Sequence, residues 1–179
     1  MFSRALALSL LAALPSAVYG APGDTTAISY SPVLDRLVDG FDYAVSASGR
    51  YTVFSTYYPV TKPDEPSGGA QVYVRDRLSG TYELVSHSPL GEYANGWCEA
   101  SDISADGRFV VMSCLDATNM FANDSRPAGV VVRDLVSGTL QRVAFEGGGG
   151  AISGDGRYVA FGTMRPLVAG DTNNQQDIY

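Results

Sequence analysis

The feature that most constrains this chain is a seven-residue motif that occurs three times. Segments 45–51, 103–109 and 152–158 each have an aliphatic residue and a serine, then a turn containing Gly-Arg, then an aromatic residue. The glycine of the second copy, Gly107, lies 58 residues after Gly49, and the glycine of the third copy, Gly156, lies 49 residues after Gly107. Self-similarity at this period is typical of proteins built from stacked structural units. We therefore expect a repeat architecture.

Each repeat predicts four strands separated by short turns. The first strand ends at the serine of the motif, and the second begins at its aromatic residue. The third and fourth flank a Ser-Gly turn, which also recurs 58 residues apart. The predicted second strands cover 109–113 and 158–162. The predicted third strands cover 72–75 and 130–133, and the predicted fourth strands cover 82–86 and 140–145. The second and third strands are apolar at consecutive positions, so both of their faces must be covered.

Four-stranded antiparallel units that pack face to face are the blades of a β-propeller. We therefore predict an all-β fold with about two to three blades, at residues 43–90, 98–146 and 150–179, the last of them truncated. Closed propellers have four to eight blades. The sequence accordingly predicts an incomplete propeller, as an N-terminal fragment of a longer propeller or a truncated chain. Assembly of several copies into a ring is a further possibility.

The combined motifs also resemble a known family. Ser-Ala-Asp-Gly-Arg-Phe-Val-Val at 104–111, Arg-Asp-x-x-Ser-Gly-Thr at 133–139, Asp-Thr-Asn at 171–173 and Asp-Ile-Tyr at 177–179 are similar to the bacterial WD40-like (PD40) repeats of TolB-type propellers. The resemblance covers most of residues 43–179. It implies a partner in the cell envelope, either another envelope protein or a peptidoglycan-associated lipoprotein.

The first twenty residues have the pattern of a secretory signal peptide. Arg4 precedes an apolar run over 5–14, which is too short to span a bilayer, and small residues follow before Ala21. An uncleaved signal acting as a membrane anchor is the alternative. We expect the mature protein to be periplasmic or secreted, with no membrane-spanning segment after cleavage.

The segment 21–42 is predicted to carry an outer strand that completes another blade. Residues 28–33 match 85–90, the outer strand and exit of the first full repeat. At the other end, 177–179 align with 129–131, inside the third strand of a blade.

Two cysteines flank the second copy of the motif. If Ser104 faces Arg108 across the hairpin, facing residues sum to 212, which places Cys98 opposite Cys114. Facing Cβ atoms in a sheet are close enough for a disulfide after slight adjustment. An exported protein permits that bond. A β-bulge would break the register, and buried unpaired cysteines are the alternative.

Charge and catalytic residues exclude several classes of function. The net charge is −7, with no Lys/Arg cluster, which argues against binding to nucleic acid. His87 is the only histidine, so a zinc site built on several histidines is excluded. We therefore predict a non-enzymatic module that binds a protein. The alternative is the propeller portion of a larger exported enzyme, a peptidase or polysaccharide lyase, with its catalytic residues outside this segment.

One stretch has oxygen ligands at alternate positions. Asp171, Asn173 and Asp177 are the candidate ligands of a calcium ion, because Ca²⁺ prefers carboxylate and amide oxygens. The alternative is a polar loop with Asx turns. No other cofactor is predicted.

Other recurrent residues have structural interpretations. Asp76 and Asp134 are expected to accept backbone N–H groups in their turns. The repeated arginines, Arg50, Arg108 and Arg157, are expected to connect one blade with the next. The glycine run at 147–150 is interpreted as a shortened connection between blades.

Some loop residues are unique to their repeats. The loop 57–69 is the predicted recognition loop, and Tyr57, Tyr58 and Trp97 either line a recognition surface or pack internally.

Overall fold

A computed structural model of the chain describes residues 25–64 and 69–179. The predicted signal peptide, residues 1–20, lies outside the described residues. Within them the secondary structure is strand and turn, and no helix is long and apolar enough to cross a bilayer. The strands are β1 Tyr30–Ser31, β2 Arg36–Leu37, β3 Phe41–Val45, β4 Tyr51–Thr56, β5 Gln71–Asp76, β6 Tyr82–Leu84, β7 Glu99–Ile103, β8 Phe109–Cys114, β9 Gly129–Asp134, β10 Leu140–Ala144, β11 Gly148–Ile152, β12 Val159–Thr163 and β13 Asp177–Ile178.

Three of the four sheets are the predicted blades. Strands β3 to β6 form blade 1 and β7 to β10 form blade 2, each a four-stranded antiparallel sheet in sequence order. Strands β11 to β13 form a three-stranded blade 3, and β1 pairs with β2 in a separate hairpin. Each first strand lies beside the first strand of the next blade. The prediction of an all-β, incomplete propeller is confirmed.

The second strand of each full blade is buried because both of its faces are covered. Blade 2 lies between blades 1 and 3, and blade 1 lies between the N-terminal segment and blade 2. Five of the six residues of β4, and likewise of β8, are buried. One cluster between blades 1 and 2 includes Val53, Val110 and Met112. A second, between blades 2 and 3, includes Val111 and Phe161. The continuous apolar runs in the sequence therefore follow from burial on both faces.

Backbone hydrogen bonds join the first turns of successive blades. The Ala47 amide donates to the carbonyl of Ala105 at 3.1 Å, and the Ala105 amide donates to the carbonyl of Gly154 at 3.1 Å. The turn glycines of blades 2 and 3, Gly107 and Gly156, also pack on the preceding blade. A Cβ on Gly107, whose φ is +80°, would lie 2.1 Å from the ring of Tyr51, so only glycine fits.

The repeated arginines act within a blade, which corrects their predicted role between blades. Arg50 forms a bidentate pair with Asp76, at 3.0 and 2.7 Å, in the same sheet. Arg108 and Asp134 repeat the pair with the same two distances. Both aspartates also accept backbone amides of their turns, as predicted. The arginine thus ties the turn after the first strand to the end of the third.

Contacts between blades come instead from the arginine of the third strand. Arg133 is 3% exposed, and its guanidinium donates to the carbonyls of Val85 and His87 at the end of blade 1. Its equivalent in blade 1, Arg75, donates to the carbonyls of Ala27 and Ile28. The N-terminal segment therefore lies against blade 1 as the exit of β6 lies against blade 2.

The glycine run differs from its interpretation as a connection. Gly148 to Ile152 form β11, the first strand of blade 3. Gly150 packs so closely on blade 2 that a Cβ would lie 2.5 Å from Cγ1 of Val111. Glycine weakens a strand by itself, but here it permits the close approach of two sheets. In the structure the first strand of blade 3 begins at residue 148, and the first strand of blade 1 begins at residue 41.

Candidate binding surface

The blades place two kinds of connection at opposite ends of the strands. In each blade a tight turn joins the first strand to the second, and in blades 1 and 2 another joins the third strand to the fourth. These turns lie at the same end of the strands, which we call the turn end. The connections 57–64 with 69–70, 85–98, 115–128 and 164–176 share the other end, the long-loop end. Long loops on a rigid scaffold are where binding residues concentrate in proteins. The long-loop end is therefore the candidate binding surface.

Two loops of the long-loop end are held together by side-chain amides and carboxylates. The Asn95 amide nitrogen donates to Thr118 Oγ1 at 2.9 Å, and the Thr118 backbone amide donates to Asn95 Oδ1 at 2.7 Å. Asn119 Oδ1 accepts the backbone amide of Asn95 at 3.0 Å, and Asp116 Oδ1 accepts that of Trp97 at 2.6 Å. We call these contacts the loop clasp. They fix two loops that lack regular secondary structure.

The loop clasp needs a glycine at its centre. A Cβ on Gly96 would lie 2.6 Å from the backbone nitrogen of Ala117. Beneath it, Ala94, Ala117 and Met120 are almost fully buried in the core between blades 1 and 2. The loops are thus anchored both by polar contacts and by buried side chains.

Aromatic rings cross from blade 1 to the loop clasp. The ring centres of Phe41 and Tyr57 are 5.0 Å apart, and those of Tyr57 and Trp97 are 5.3 Å apart in a T-shaped pair with an interplanar angle of 85°. Tyr57 is 45% exposed and Trp97 is 42% exposed. Tyr58, in contrast, packs under the Arg36 guanidinium, 5.2 Å from its ring centre. Both readings of the loop aromatics thus hold in part, since Tyr57 and Trp97 contact each other and still face solvent.

Sequence reasoning did not identify the alternating stack of arginines and phenylalanines in blade 2. The Arg142 guanidinium lies 4.2 Å from the ring centre of Phe121 and 4.4 Å from that of Phe145, and Arg126 lies 4.3 Å from Phe145. Asp124 accepts hydrogen bonds from both arginines, which hold its carboxyl pKa well below the ordinary value. The stack fastens the loop 115–128 to the outer strand β10.

The two cysteines form the disulfide Cys98–Cys114, with Cα atoms 4.2 Å apart. The predicted turn register is wrong by one residue, because the Ser104 amide donates to the carbonyl of Phe109 rather than facing Arg108. A β-bulge between Ala100 and Asp102 shifts the pairing back by one. The bulge, which was expected to break the register, brings the cysteines into line.

The candidate calcium ligands lie between β12 and β13 and bond to other groups. Asn173 donates from Nδ2 to Asp177 Oδ2 at 3.0 Å, and its own oxygen accepts the Gln175 amide at 2.7 Å. Asp171 accepts the hydroxyl of Tyr179. Among the described residues, no group of three or more His, Cys, Asp or Glu side chains is arranged to hold a metal ion. The calcium site stays a prediction.

His87 is half-buried. Its Nδ1 lies 2.8 Å from the carbonyl oxygen of Ser88, and burial lowers its pKa below the ordinary value. Its backbone carbonyl accepts the buried Arg133. The histidine thus belongs to the contact between blades 1 and 2.

Comparison with solved structures gives neighbours at low sequence identity, among them the following three. The chain is similar to TolB from Acinetobacter baumannii, with a TM-score of 0.47 and 17% identity over 79% of this chain and 29% of that one. It is similar to the tricorn protease, with a TM-score of 0.45 and 14% identity over 79% of this chain and 12% of that one. For the hydrazine synthase of Kuenenia stuttgartiensis the TM-score is 0.41 and the identity 16%, over 82% of this chain and 35% of that one.

The family resemblance rests on the sequence motifs, because these comparisons do not show a family for the chain. The chain spans at most 35% of the length of these solved proteins. No family model and no curated protein matches its sequence. The strand order, the blade contacts and the burial pattern together identify the architecture itself: the described residues form an incomplete β-propeller.

Proposed function

We propose that this chain is an exported β-propeller module that binds another protein through its long-loop end and has no catalytic role of its own. The observation that carries the proposal is the loop clasp with the exposed aromatic side chains beside it. Rigid loops bind with less loss of conformational entropy than mobile ones. Exposed tryptophan and tyrosine are the residues enriched at energetically important points of protein interfaces.

Two features support export. Residues 1–20 have the pattern of a signal peptide. The disulfide Cys98–Cys114 is of a kind that persists in oxidising compartments and is rare in the cytosol. The proposed location is therefore the periplasm or the cell exterior.

The class of partner comes from the family resemblance. The PD40-like motifs suggest another envelope protein or a peptidoglycan-associated lipoprotein as the partner. The role as part of a larger exported enzyme stays a prediction, because its catalytic residues would lie outside this chain.

Selection of displayed random peptides against the full chain tests the binding role. We expect selected peptides to lose about tenfold or more in affinity for a Trp97→Ser/Leu115→Ser variant, since interface aromatics carry much of the binding energy. The matched control is Leu78→Ser/Val136→Ser, which removes two exposed apolar side chains from the turn end. Peptides that lose affinity for the control variant, and keep it for the first, would contradict the proposal.

A fusion of residues 1–30 to an alkaline phosphatase lacking its own leader tests export. This reporter is active only after it reaches an oxidising compartment. We expect activity from the fusion and none after Leu10→Arg/Leu11→Arg, which interrupts the apolar run. Equal activity from both fusions, or none from either, would remove the export part of the proposal.

A further inference from the structure

One open cavity of the long-loop end combines an aromatic ring with two carboxylates. Its lining residues are Trp97, Glu99, Ser113, Leu115 and Asp116. Leu115 is 56% exposed, and Trp97 presents part of its indole to the same space. We call this the Trp97 cavity. An indole beside carboxylates is a typical arrangement for recognising a cation.

The negative charge of the Trp97 cavity has no positive partner in the described part of the chain. Neither Glu99 nor Asp116 forms an ion pair with an arginine or lysine of residues 25–64 and 69–179. The neighbouring first strands, β3, β7 and β11, contribute the further carboxylates Asp42 and Asp102 and contain no lysine or arginine. The net charge of the whole chain, −7, adds a long-range attraction for cations. The nearest described arginines of this end, Arg126 and Arg165, line the adjoining cavity on the other side of Leu115.

A buried hydroxyl in the lining also lacks a partner. Ser113 is 6% exposed, and its Oγ makes no hydrogen bond. Its equivalent in blade 1, Ser55, accepts the Ala100 amide of the next blade at 2.8 Å. A buried polar atom without a partner costs free energy. The hydroxyl is therefore an unsatisfied polar group in the wall of the cavity.

The groups that would contact a cation are held in place before it binds. Asp116 Oδ1 accepts the Trp97 amide at 2.6 Å, which fixes the carboxylate next to the base of the indole side chain. Trp97 is further held by the edge contact with Tyr57. A preorganised site loses less conformational entropy on binding.

We infer that the Trp97 cavity binds the cationic side chain of an arginine or lysine that a partner protein presents. The inference rests on the proposed function and names the chemistry that its partner must carry. The guanidinium of arginine is planar, stacks on indole and donates to two carboxylates at once, whereas lysine offers a single ammonium. We therefore expect the Trp97 cavity to bind an arginine side chain more tightly than a lysine side chain.

The single tryptophan of the chain makes the experiment specific, because Trp97 is the only indole in the sequence. N-acetyl-arginine amide is titrated into the full chain while Trp97 fluorescence is recorded. We expect a saturable change, and binding about tenfold weaker for N-acetyl-citrulline amide, which has the same shape without the charge. This comparison needs no substitution in the protein.

Variants then locate the site. Glu99→Gln/Asp116→Asn keeps the size of both side chains and the acceptor oxygen for the Trp97 amide, and we expect it to weaken arginine binding by about tenfold. The control Glu83→Gln removes one carboxylate from the outer strand β6 and leaves binding unchanged. Circular dichroism confirms that the variants fold.

Three outcomes overturn the inference: no fluorescence change with arginine, equal binding of citrulline, or unchanged binding by the double variant. They leave the proposed function intact if displayed peptides still bind at the long-loop end. If no peptide binds but arginine does, the proposed protein-binding role fails and the cation site stands alone.

Discussion

Blades 2 and 3 carry the same repeat but differ in what covers them. Phe109 of blade 2 packs on Gly156 of blade 3, where a Cβ would lie 2.3 Å from the ring. The equivalent Tyr158 of blade 3 is 66% exposed, and Ile178, which pairs with Gly162 in the same sheet, is 72% exposed. The burial of a residue in this chain is thus a property of the neighbouring blade. The residue type alone does not decide it.

The same contrast applies to charge. Arg108 of blade 2 forms a bidentate pair with Asp134, whereas the guanidinium of Arg157 lies 3.9 Å from the carboxylate of Asp155 in its own turn. The outward face of blade 1, in contrast, is covered by the N-terminal segment, whose Ile28 packs beside Phe54. The described chain therefore has one protected and one open face.

The largest expected effect is at the turn glycine that packs on blade 1. Gly107→Ala combines a positive φ with a clash against the Tyr51 ring, and we expect it to lower the free energy of unfolding by about 4 kcal/mol. Gly138→Ala is the control, because Gly138 also has a positive φ but has no atom within 4 Å of its Cβ position. We expect about 1 kcal/mol there, by urea denaturation. Equal losses would mean that the contact between blades is loose.

The second prediction compares the two equivalent aromatic residues directly. Phe109→Ala removes a ring packed between blades 2 and 3, and we expect a loss of about 3 kcal/mol in the free energy of unfolding. Tyr158→Ala removes an exposed ring, and we expect less than about 0.5 kcal/mol. Urea denaturation measures both. A similar loss for both variants would show that Tyr158 is covered in solution.

The third prediction concerns the disulfide, which only blade 2 has at this position. The positions of Cys98 and Cys114 are occupied by Gly40 and Thr56 in blade 1 and by Gly147 and Thr163 in blade 3. Thr56 Oγ1 there donates to the carbonyl of Asp39 at 2.7 Å.

The variant Cys98→Gly/Cys114→Thr gives blade 2 the residues of its neighbours. We expect it to fold and to lose about 2 kcal/mol, since removing a cross-link of this size increases the entropy of the unfolded chain. Thermal unfolding with and without reductant checks this, because only the parent should respond to reductant. A variant that cannot fold would show that the repeat residues alone do not close this edge.

The smallest effect is on acid stability. The Arg50 guanidinium lowers the pKa of Asp76 to about 2, and Arg108 holds the pKa of Asp134 well below the ordinary carboxyl value. A carboxyl with a lowered pKa in the folded state stabilises the fold above pH 4, and this contribution is lost as the pH falls towards 2.

Arg108→Met removes the group that lowers the pKa of Asp134, so it should flatten the fall in stability between pH 4 and 2. Arg157→Met should leave it unchanged, because Arg157 has no bidentate partner in the described residues. Urea denaturation across this pH range measures both slopes. An equal flattening by both variants would contradict the contrast between the blades.

The repeat made the blades predictable because each strand and turn recurs with its local chemistry. Turn glycines, apolar strands and the Asp76 and Asp134 turns all follow from short segments. The glycine run was misinterpreted because glycine is a poor strand former, and only the close approach to Val111 explains it.

The candidate site was harder to predict. Trp97 and Tyr57 were singled out from the sequence, but the pairing of Asn95 with Thr118 joins residues 23 positions apart without a local pattern. The bulge in β7 likewise depends on packing rather than on residue type, and it alone corrects the register of the cysteines. Contacts between distant loops are decided by the assembled blades.

The hydrogen bonds from Ala47 to Ala105 and from Ala105 to Gly154 all run in one sense. Blade 2, through Ala105, presents a carbonyl to blade 1 and an N–H to blade 3, so a sheet turned back to front would set donor against donor and acceptor against acceptor. The stack of blades consequently has a direction, in which the N–H of one blade donates to the carbonyl of the next blade in the chain. Any recombined, swapped or extended arrangement of these repeats must keep that direction to keep the bonds.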